Sequence, residues 1–244
     1  ELAQVIMGGF ASVSAAGDAV GAIITAGIIP AGLEMMDRLA IQAAEDFAHA
    51  GYPRDAAAIL LCEVDGSREE VAQHAVEVAR LFESMGATSV TISQDEAQRA
   101  LLWKGRKAAF PAVGRLAPDY YCMDGTIPRR RLPEVLARIG ELSELYGLGV
   151  ANVFHAGDGN LHPLILYDAN KPGQLEIAEA FGNDILRLCV EVGGVLTGEH
   201  GVGMGKIKFL YEEHGEAMAL MRSIKKALDP DNIMNPGKIL GPMN

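Results

Sequence analysis

Residues 150–167 read VANVFHAGDGNLHPLILY, two apolar stretches joined by a glycine-rich turn. The pair Asp158-Gly159 between β-compatible segments is a strong hairpin signal, because a type I′ turn requires positive φ at both central residues. A tight hairpin pairs antiparallel strands. With the alternation of strands and helices elsewhere, it predicts an α+β fold with a mixed or antiparallel sheet rather than a doubly wound one.

The same hairpin predicts a pair of histidines on one face. If Asp158 and Gly159 are the central turn residues, His155 pairs directly with His162, and their Cβ atoms lie about 5 Å apart. Two imidazoles suit Zn, Mn, Fe or Co, and a carboxylate with an open position would complete a catalytic metal site. The alternative is that one histidine caps or packs while the other satisfies backbone groups.

A second glycine-dense stretch reads TGEHGVGMGK over residues 197–206. It fails the P-loop pattern, since His200 stands where glycine is required and Ile207 where serine or threonine is required. What remains is an acid and a base side by side, between glycines that allow close backbone approach. Glu199 could face a metal while His200 faces a substrate. The alternative is a plain turn with solvated side chains.

A third candidate is Arg106 in the stretch WKGRK, residues 103–107. A guanidinium binds a carboxylate in bidentate fashion. On spacing alone, however, a solvated basic face is the favoured interpretation.

Hydrophobic periodicity predicts the secondary structure along the chain. Predicted strands cover Leu2–Phe10, Ala57–Val64, Ala87–Ser93, Asp119–Thr126, Val150–His155 and Leu161–Tyr167. Predicted helices cover Ser12–Ala26, Met36–Ala50, Ser67–Met85, Glu96–Phe110, Pro128–Tyr146, Leu175–Val192 and Glu216–Leu228.

Composition excludes several classes of protein. The chain has 244 residues, 49% hydrophobic and 22% charged, which is typical of a globular protein of one large or two small domains. A net charge of −11 argues against nucleic acid or an anionic membrane surface as the main partner. No transmembrane segment and no signal peptide are predicted. Three widely spaced cysteines fit a reducing compartment, and cytoplasm is the expected location. Because the first residue is Glu1, a piece of a longer protein is expected.

Four stretches together carry a resemblance to a known family. They are FHAGDGNLHP (154–163), GGVLTGEHGVG (193–203), DPDNIMNPGKIL (229–240) and GRKAAFPAVGRLAPDYYCMDGTIPRRRL (105–132). They resemble motifs of the C-terminal half of the FAD-linked glycolate oxidase subunits, and they follow one another along the chain in the order expected for that family. These subunits belong to the D-2-hydroxyacid dehydrogenase group of the vanillyl-alcohol-oxidase-type flavoenzymes. The resemblance implies a cap domain with a large, mostly antiparallel sheet flanked by helices, over residues 1–228. Residues 229–244 would be a tail that packs on a preceding FAD-binding domain.

The resemblance also implies roles for single residues. His155, His162 and Glu199 would bind a divalent metal (Zn, Mn or Fe), and His200 would be the catalytic base near the flavin. Arg106 would bind the substrate carboxylate, while Gly201 and Asn235 would contact the cofactor. One departure concerns Cys122, where some relatives carry a lysine. That difference puts dicarboxylate preference in doubt and fits a small monocarboxylate.

The expected function is the substrate-binding part of an FAD-dependent oxidase or dehydrogenase that converts glycolate or D-lactate to the 2-oxo acid. FAD would be bound mainly by a domain that precedes this chain. Companion oxidase subunits, attachment to the inner membrane through them, and a homodimer are further expectations. The alternative is a metal-binding or interaction module that is catalytically inert when separated from the FAD domain. A metal hydrolase on the same ligands is a weaker third interpretation.

Overall fold

The computed structural model describes residues 2–242, within which nine strands and nine α-helices follow one another. The strands are β1 (Leu2–Phe10), β2 (Gly32–Asp37), β3 (Ala58–Gly66), β4 (Ala87–Ile92), β5 (Asp119–Cys122), β6 (Gly125–Thr126), β7 (Val150–Phe154), β8 (Asn160–Leu161) and β9 (Pro163–Tyr167). The helices are α1 (Val13–Thr25), α2 (Arg38–Ala48), α3 (Arg68–Ser84), α4 (Glu96–Lys107), α5 (Ala109–Val113), α6 (Leu132–Tyr146), α7 (Gln174–Glu191), α8 (Ile207–His214) and α9 (Ala217–Leu228).

Seven strands form one sheet in the order β4-β1-β3-β2-β7-β9-β5, and β6 pairs with β8 in a small second sheet. Every pairing between these strands is antiparallel. The predicted α+β class with an antiparallel sheet is therefore confirmed.

Helices cover both faces of the large sheet. Side chains alternate between the faces along each strand, so that Leu60 of β3 packs in the core under α1, α3, α6 and α7, whereas Leu61 packs under α2, α4 and α5. Phe82 of α3 lies in the first core and Ile41 of α2 in the second. The sheet is thus the middle of three layers.

The central strand β2 was missed by the sequence prediction. Its apolar residues continue directly into α2, so periodicity extended the helix back to Met36. The boundary is set at Asp37, whose carboxylate accepts a hydrogen bond from Ala40 N at 3.0 Å and caps α2. The other oxygen of Asp37 accepts hydrogen bonds from the backbone and side chain of Asn152 on β7 at 2.9 and 2.8 Å. Burial raises the pKa of Asp37 from 3.8 to about 6.

The hairpin exists, but its predicted register is wrong. His155 pairs with Asn160, in line with the pairing of Asn152 with Pro163 between β7 and β9. Gly159 is in the left-handed region at φ 74°, but Asp158 is not, so the turn is not type I′. Asn160 and Leu161 form β8, which pairs with Gly125 and Thr126 of β6, a segment outside the hairpin. Because the shift is two residues, both histidines still share one face.

Other predicted elements also differ from the structure. The strand predicted over Asp119–Thr126 divides into β5 and β6 at Met123-Asp124, and this break places Asp124 beside the site. Pro111 does not end the helical region, because it lies in the first turn of the short helix α5, where its missing N–H costs nothing. Helix α8, after the glycine-dense loop, was not predicted.

The C-terminal tail contacts its own domain. Ile239 N donates to the carbonyl of Gly203 at 2.8 Å, and Leu240 is buried. The expected packing of residues 229–244 on an FAD-binding domain stays a prediction, and residues 243 and 244 lie outside the described part. Among residues 2–242, no helix has the length and apolar character needed to cross a membrane.

Candidate active site

Two histidines from the hairpin converge on one point. His155 follows the last residue of β7, and His162 lies between β8 and β9. Their ring centroids are 5.1 Å apart and nearly perpendicular. His162 is buried, whereas about a third of the His155 side chain is exposed. The diagonal arrangement still brings the two rings into edge-to-face contact.

The glycine-dense loop brings Glu199 and His200 to this pair. Glu199 Oε1 lies 3.0 Å from His162 Nε2 and 3.5 Å from His155 Nε2. The ring of His200 stacks on that of His162 at 4.9 Å. Ligand atoms of His155, His162 and Glu199 lie within 4.8 Å of one another. Two imidazole nitrogens and one carboxylate oxygen form a donor set that fits a divalent ion such as Zn, Mn or Fe.

The two histidines differ in electrostatic environment. Burial, with the neighbouring histidines, lowers the pKa of His162, which favours the neutral imidazole. The hydrogen bond to Glu34 raises the pKa of His155, against the opposing effect of burial. His155 Nδ1 lies 2.8 Å from Glu34 Oε1, so this contact orients the ring and turns Nε2 toward Glu199.

Glu34 was missed by the sequence analysis. Met35 of β2 pairs with Phe154 of β7, and one further step in this register places Glu34 opposite His155. The available signal was a single carboxylate among apolar residues in GLEMM, residues 32–36.

Arg106 is buried rather than solvated, contrary to the interpretation from spacing alone. Its neighbours Lys104 and Lys107 point to solvent, while Arg106 lies on the inner side of α4. Arg106 Nη2 donates to Glu34 Oε2 at 2.7 Å, and Arg106 Nε has no hydrogen-bond partner among residues 2–242. Glu34 therefore connects the arginine to the histidine pair.

Asp124 and Lys206 form a buried pair under the glycine-dense loop. The Asp124 carboxylate accepts hydrogen bonds from the Thr197 hydroxyl and from three successive backbone N–H groups of residues 198–200. Burial alone raises the pKa of Asp124, but these bonds and the Lys206 charge outweigh it and hold that pKa well below its usual range. The donors that would cradle a phosphate in a P-loop bind an internal carboxylate instead.

Cys122 lies next to the same site. Its sulfur lies within 4.8 Å of a ring nitrogen of His162 and of His200. Burial raises the pKa of Cys122 to about 12, so the side chain is a neutral thiol.

An open depression of about 390 Å³ adjoins the cluster. It is lined by Thr126, His155, Asp158, Asn160, Gly198 and Glu199.

The two predicted cofactor residues lie in different places. Gly201 directly follows His200 with φ 79°, and Asn235 is an exposed tail residue with φ 49°. Their role in binding a cofactor stays a prediction.

Solved structures show the same fold. p-Cresol methylhydroxylase with substrate bound superposes with a TM-score of 0.77 at 16% identity, over 100% of this chain and 53% of that one. 4-Ethylphenol oxidase from Gulosibacter chungangensis gives a TM-score of 0.74 at 15% identity, over 99% and 54%. The chain therefore shares its fold with about half of each of these two enzymes.

Sequence comparison identifies closer relatives. The chain is 58% identical to the glycolate oxidase subunit GlcD of Escherichia coli, over 97% of this chain and 48% of that protein. It is 35% identical to GlcD of Bacillus subtilis, over 98% and 51%. A probable mitochondrial D-lactate dehydrogenase of Danio rerio is 32% identical, over 95% and 47%. The chain spans about half the length of these relatives.

A family model described as "FAD linked oxidases, C-terminal domain" matches residues 1–239. The match extends over both glycine-dense segments and the strands that hold the histidine pair. The chain belongs to the C-terminal domain family of the FAD-linked oxidases.

Proposed function

We propose that this chain is the substrate-binding part of an FAD-dependent oxidoreductase that oxidises glycolate or D-lactate to the 2-oxo acid. The observation that carries the proposal is the convergence of Arg106, through Glu34, with the His155, His162, Glu199 and His200 cluster. The names of the relatives supply the substrate class. Since the chain spans half of those relatives, the activity is proposed for the longer protein.

The side chains divide the chemistry of alcohol oxidation. Arg106 binds the substrate carboxylate with the guanidinium donors that Glu34 does not occupy. His200, 46% exposed, accepts the hydroxyl proton. Loss of that proton and of hydride from Cα leaves the carbonyl of the 2-oxo acid. FAD, when bound, supplies the acceptor for the hydride.

His155, His162 and Glu199 would hold a divalent metal, since their donor atoms are two imidazole nitrogens and a carboxylate oxygen. A bound ion supplies Lewis-acid polarisation of the substrate hydroxyl. The neutral state of buried His162 suits a ligand. Contacts of Gly201 and Asn235 with the cofactor belong to the same proposal.

The decisive experiment is anaerobic reduction of the flavin in the full-length protein. Glycolate or D-lactate should bleach the flavin absorbance, while L-lactate should not. His200→Ala should lower the reduction rate by about 10²–10⁴-fold with little change in substrate affinity, because it removes a base. His49→Ala, at an exposed histidine after α2, is the matched control. Bleaching by neither acid, or equal effects of the two variants, would contradict the proposal.

Metal binding is tested by calorimetry with Zn²⁺ and Mn²⁺ on the same protein. His155→Ala and His162→Ala should each weaken binding by at least about 100-fold, since loss of outer partners alone costs 10–100-fold. The His49→Ala control should bind as wild type. Equal metal affinity in all variants would contradict the ligand assignment.

Companion subunits belong to the proposal because two relatives are named as subunits of glycolate oxidase. Exposed Leu220, Ile224 and Leu228 on α9 give such a partner, the FAD domain or a second copy of the chain an apolar surface to cover. Cytoplasmic location, with attachment to the inner membrane through partners, is supported by the free cysteines Cys62, Cys122 and Cys189.

A further inference from the structure

We propose that Asp124 is a positioning residue that holds Glu199 and His200 in their working geometry, with Lys206 as its counter-charge. The inference rests on the proposed function, because it concerns the residues assigned there to metal binding and proton transfer. Neither Asp124 nor Lys206 is assigned a contact with the substrate or the metal. Both act through the backbone of the loop.

The hydrogen bonds to Asp124 come from every residue of the segment that carries the two functional side chains. The Asp124 side chain is 1% exposed and its Oδ2 accepts from Thr197 Oγ1 at 2.6 Å. It also accepts from the backbone N–H groups of Gly198, Glu199 and His200 at 3.0, 3.2 and 2.9 Å. Three successive amides directed at one carboxylate leave that stretch of loop little freedom to move.

Sheet register explains why Asp124 occupies this position. Gly125 pairs with Leu161, and one step further in that register places Asp124 opposite His162. On its other side, Thr126 pairs with Val195, and two steps place Asp124 opposite Thr197. Asp124 therefore lies between the segment that carries His162 and the segment that carries Glu199. Its hydrogen bonds therefore determine the distance between these two segments.

The charge balance makes this arrangement selective for an ionised carboxylate. Lys206 Nζ donates to the Asp124 carbonyl at 2.6 Å and lies 3.4 Å from its carboxylate. A buried charge is costly unless it is paired and hydrogen-bonded, and here a lysine, a hydroxyl and three amides supply that compensation. A neutral amide at residue 124 would lose the attraction to Lys206 and present an N–H₂ group to donors.

A close contact between Gly198 and Asn160 also limits movement of the loop. A Cβ at Gly198 would lie 2.5 Å from the side chain of Asn160 on β8. The backbone at Gly198 is thus restricted by Asn160 as well as by its hydrogen bond to Asp124. Glu199 and His200 are about half exposed at their side chains, so their placement depends on this anchored backbone.

The test compares Asp124→Asn, Thr197→Val and Lys206→Met in the full-length flavoenzyme. Asp184→Asn is the matched control, because it alters a carboxylate of α7 that bonds Tyr146 and Arg187 instead. Three quantities are measured: amide hydrogen exchange over residues 198–200, kcat and KM for glycolate, and the melting temperature. Thr197→Val retains the charge of Asp124 and the shape of the Thr197 side chain, and it removes only the hydroxyl donor. It tests the positioning role if Asp124→Asn does not fold.

In Asp124→Asn, exchange at residues 198–200 should accelerate by about tenfold or more, as expected for loss of a charge-assisted hydrogen bond. The kcat should fall by about 100-fold, the effect of a small misplacement of catalytic groups, while KM changes less than about threefold because Arg106 is intact. Thr197→Val and Lys206→Met should show the same pattern at smaller size. Asp184→Asn should match wild type in kcat even where its melting temperature falls.

Unchanged exchange at residues 198–200 in Asp124→Asn, or kcat within twofold of wild type in both Asp124→Asn and Thr197→Val, would overturn the positioning role. A kcat loss in Asp184→Asn equal to that in Asp124→Asn would also overturn it, because general destabilisation would then explain both. If wild type oxidises no 2-hydroxy acid, the proposed function fails, and the exchange data alone decide whether Asp124 anchors the loop.

Discussion

Glu34 and Arg106 form an ion pair of 2.7 Å, with 13% and 9% of their side chains exposed. The second oxygen of the same carboxylate lies 2.8 Å from His155. A single buried carboxylate thus connects the proposed substrate-binding arginine with a proposed metal ligand. A substitution that alters substrate binding at Arg106 should therefore also alter metal binding at His155, and the reverse.

Glu34→Gln should weaken Zn²⁺ binding by about tenfold, within the range found for loss of a carboxylate partner of a liganding histidine. The glutamine amide cannot accept from His155 and Arg106 at once, so one of the two contacts is lost. The measurement is calorimetry on the full-length protein. Glu63→Gln is the control, since Glu63 pairs in the same way with Arg99 on α4. Wild-type affinity in Glu34→Gln would show that Glu34 does not support the metal site.

Arg106→Met should raise KM for glycolate by about 100-fold or more, because a buried charge-assisted contact with the substrate carboxylate is worth several kcal/mol. Arg106→Lys should recover only part of this loss, since an ammonium cannot make the bidentate contact. Steady-state kinetics measure both variants, with circular dichroism to verify folding. Arg115→Lys, at an arginine that lies over the ring of Phe47, is the control. Full recovery by lysine would exclude bidentate binding.

Asp37→Asn should change the pH dependence of stability. The folded pKa of Asp37 is about 6 against 3.8 for the ordinary group, so the folded state holds the proton more tightly. Asp37 therefore contributes its full share to the free energy of unfolding below about pH 4, and that contribution is lost as the pH rises through about 6. The change in the free energy of unfolding is about 3 kcal/mol. Relative to wild type, Asp37→Asn should therefore gain stability between pH 4 and 7.

Urea unfolding at a series of pH values measures this difference. Asp95→Asn removes the carboxylate cap of α4 at an exposed position and controls for the capping effect. A difference between Asp37→Asn and wild type that stays constant from pH 4 to pH 7 would contradict the raised pKa.

The cysteines should react slowly with iodoacetamide in the native protein. Burial raises the pKa of Cys62, Cys122 and Cys189 to about 12, so the reactive thiolate is scarce at pH 8. We expect rates about 10³-fold below that of a free thiol, with Cys122 modified first because it is the one partly exposed. Mass spectrometry identifies each site, and the unfolded chain provides the reference rate. Rapid native labelling at Cys62 would contradict this account.

Much of the fold could be predicted because its signals are local. The apolar stretch Leu2–Phe10 is a strand with the predicted bounds, and the predicted helix Ser67–Met85 exceeds α3 by one residue at each end. In α3 the apolar spacing and the Ser67–Glu70 capping box agree. The strand β2 was lost because no local signal separates a short apolar strand from the helix that follows it.

For the histidine pair, the sequence predicted the shared face correctly but not the strand register. Alternation along a strand determined that His155 and His162 face the same side, and that result survived the two-residue error in register. The loop with Glu199 and His200 stood out because its glycines leave few packing roles for an acid and a base.

The sequence by itself determined the antiparallel α+β fold, the paired histidines and the family membership, because period, turn residues and motifs lie within short stretches. Only the tertiary structure decided that Glu34 joins Arg106 to His155 and that Asp124 and Lys206 anchor the loop. Glu34 and His155 are 121 residues apart in the chain, and Asp124 and Lys206 are 82 apart. Local patterns carry no information about which distant segments become neighbours, so these contacts follow only from strand pairing and from the packing of helices and loops on the sheet.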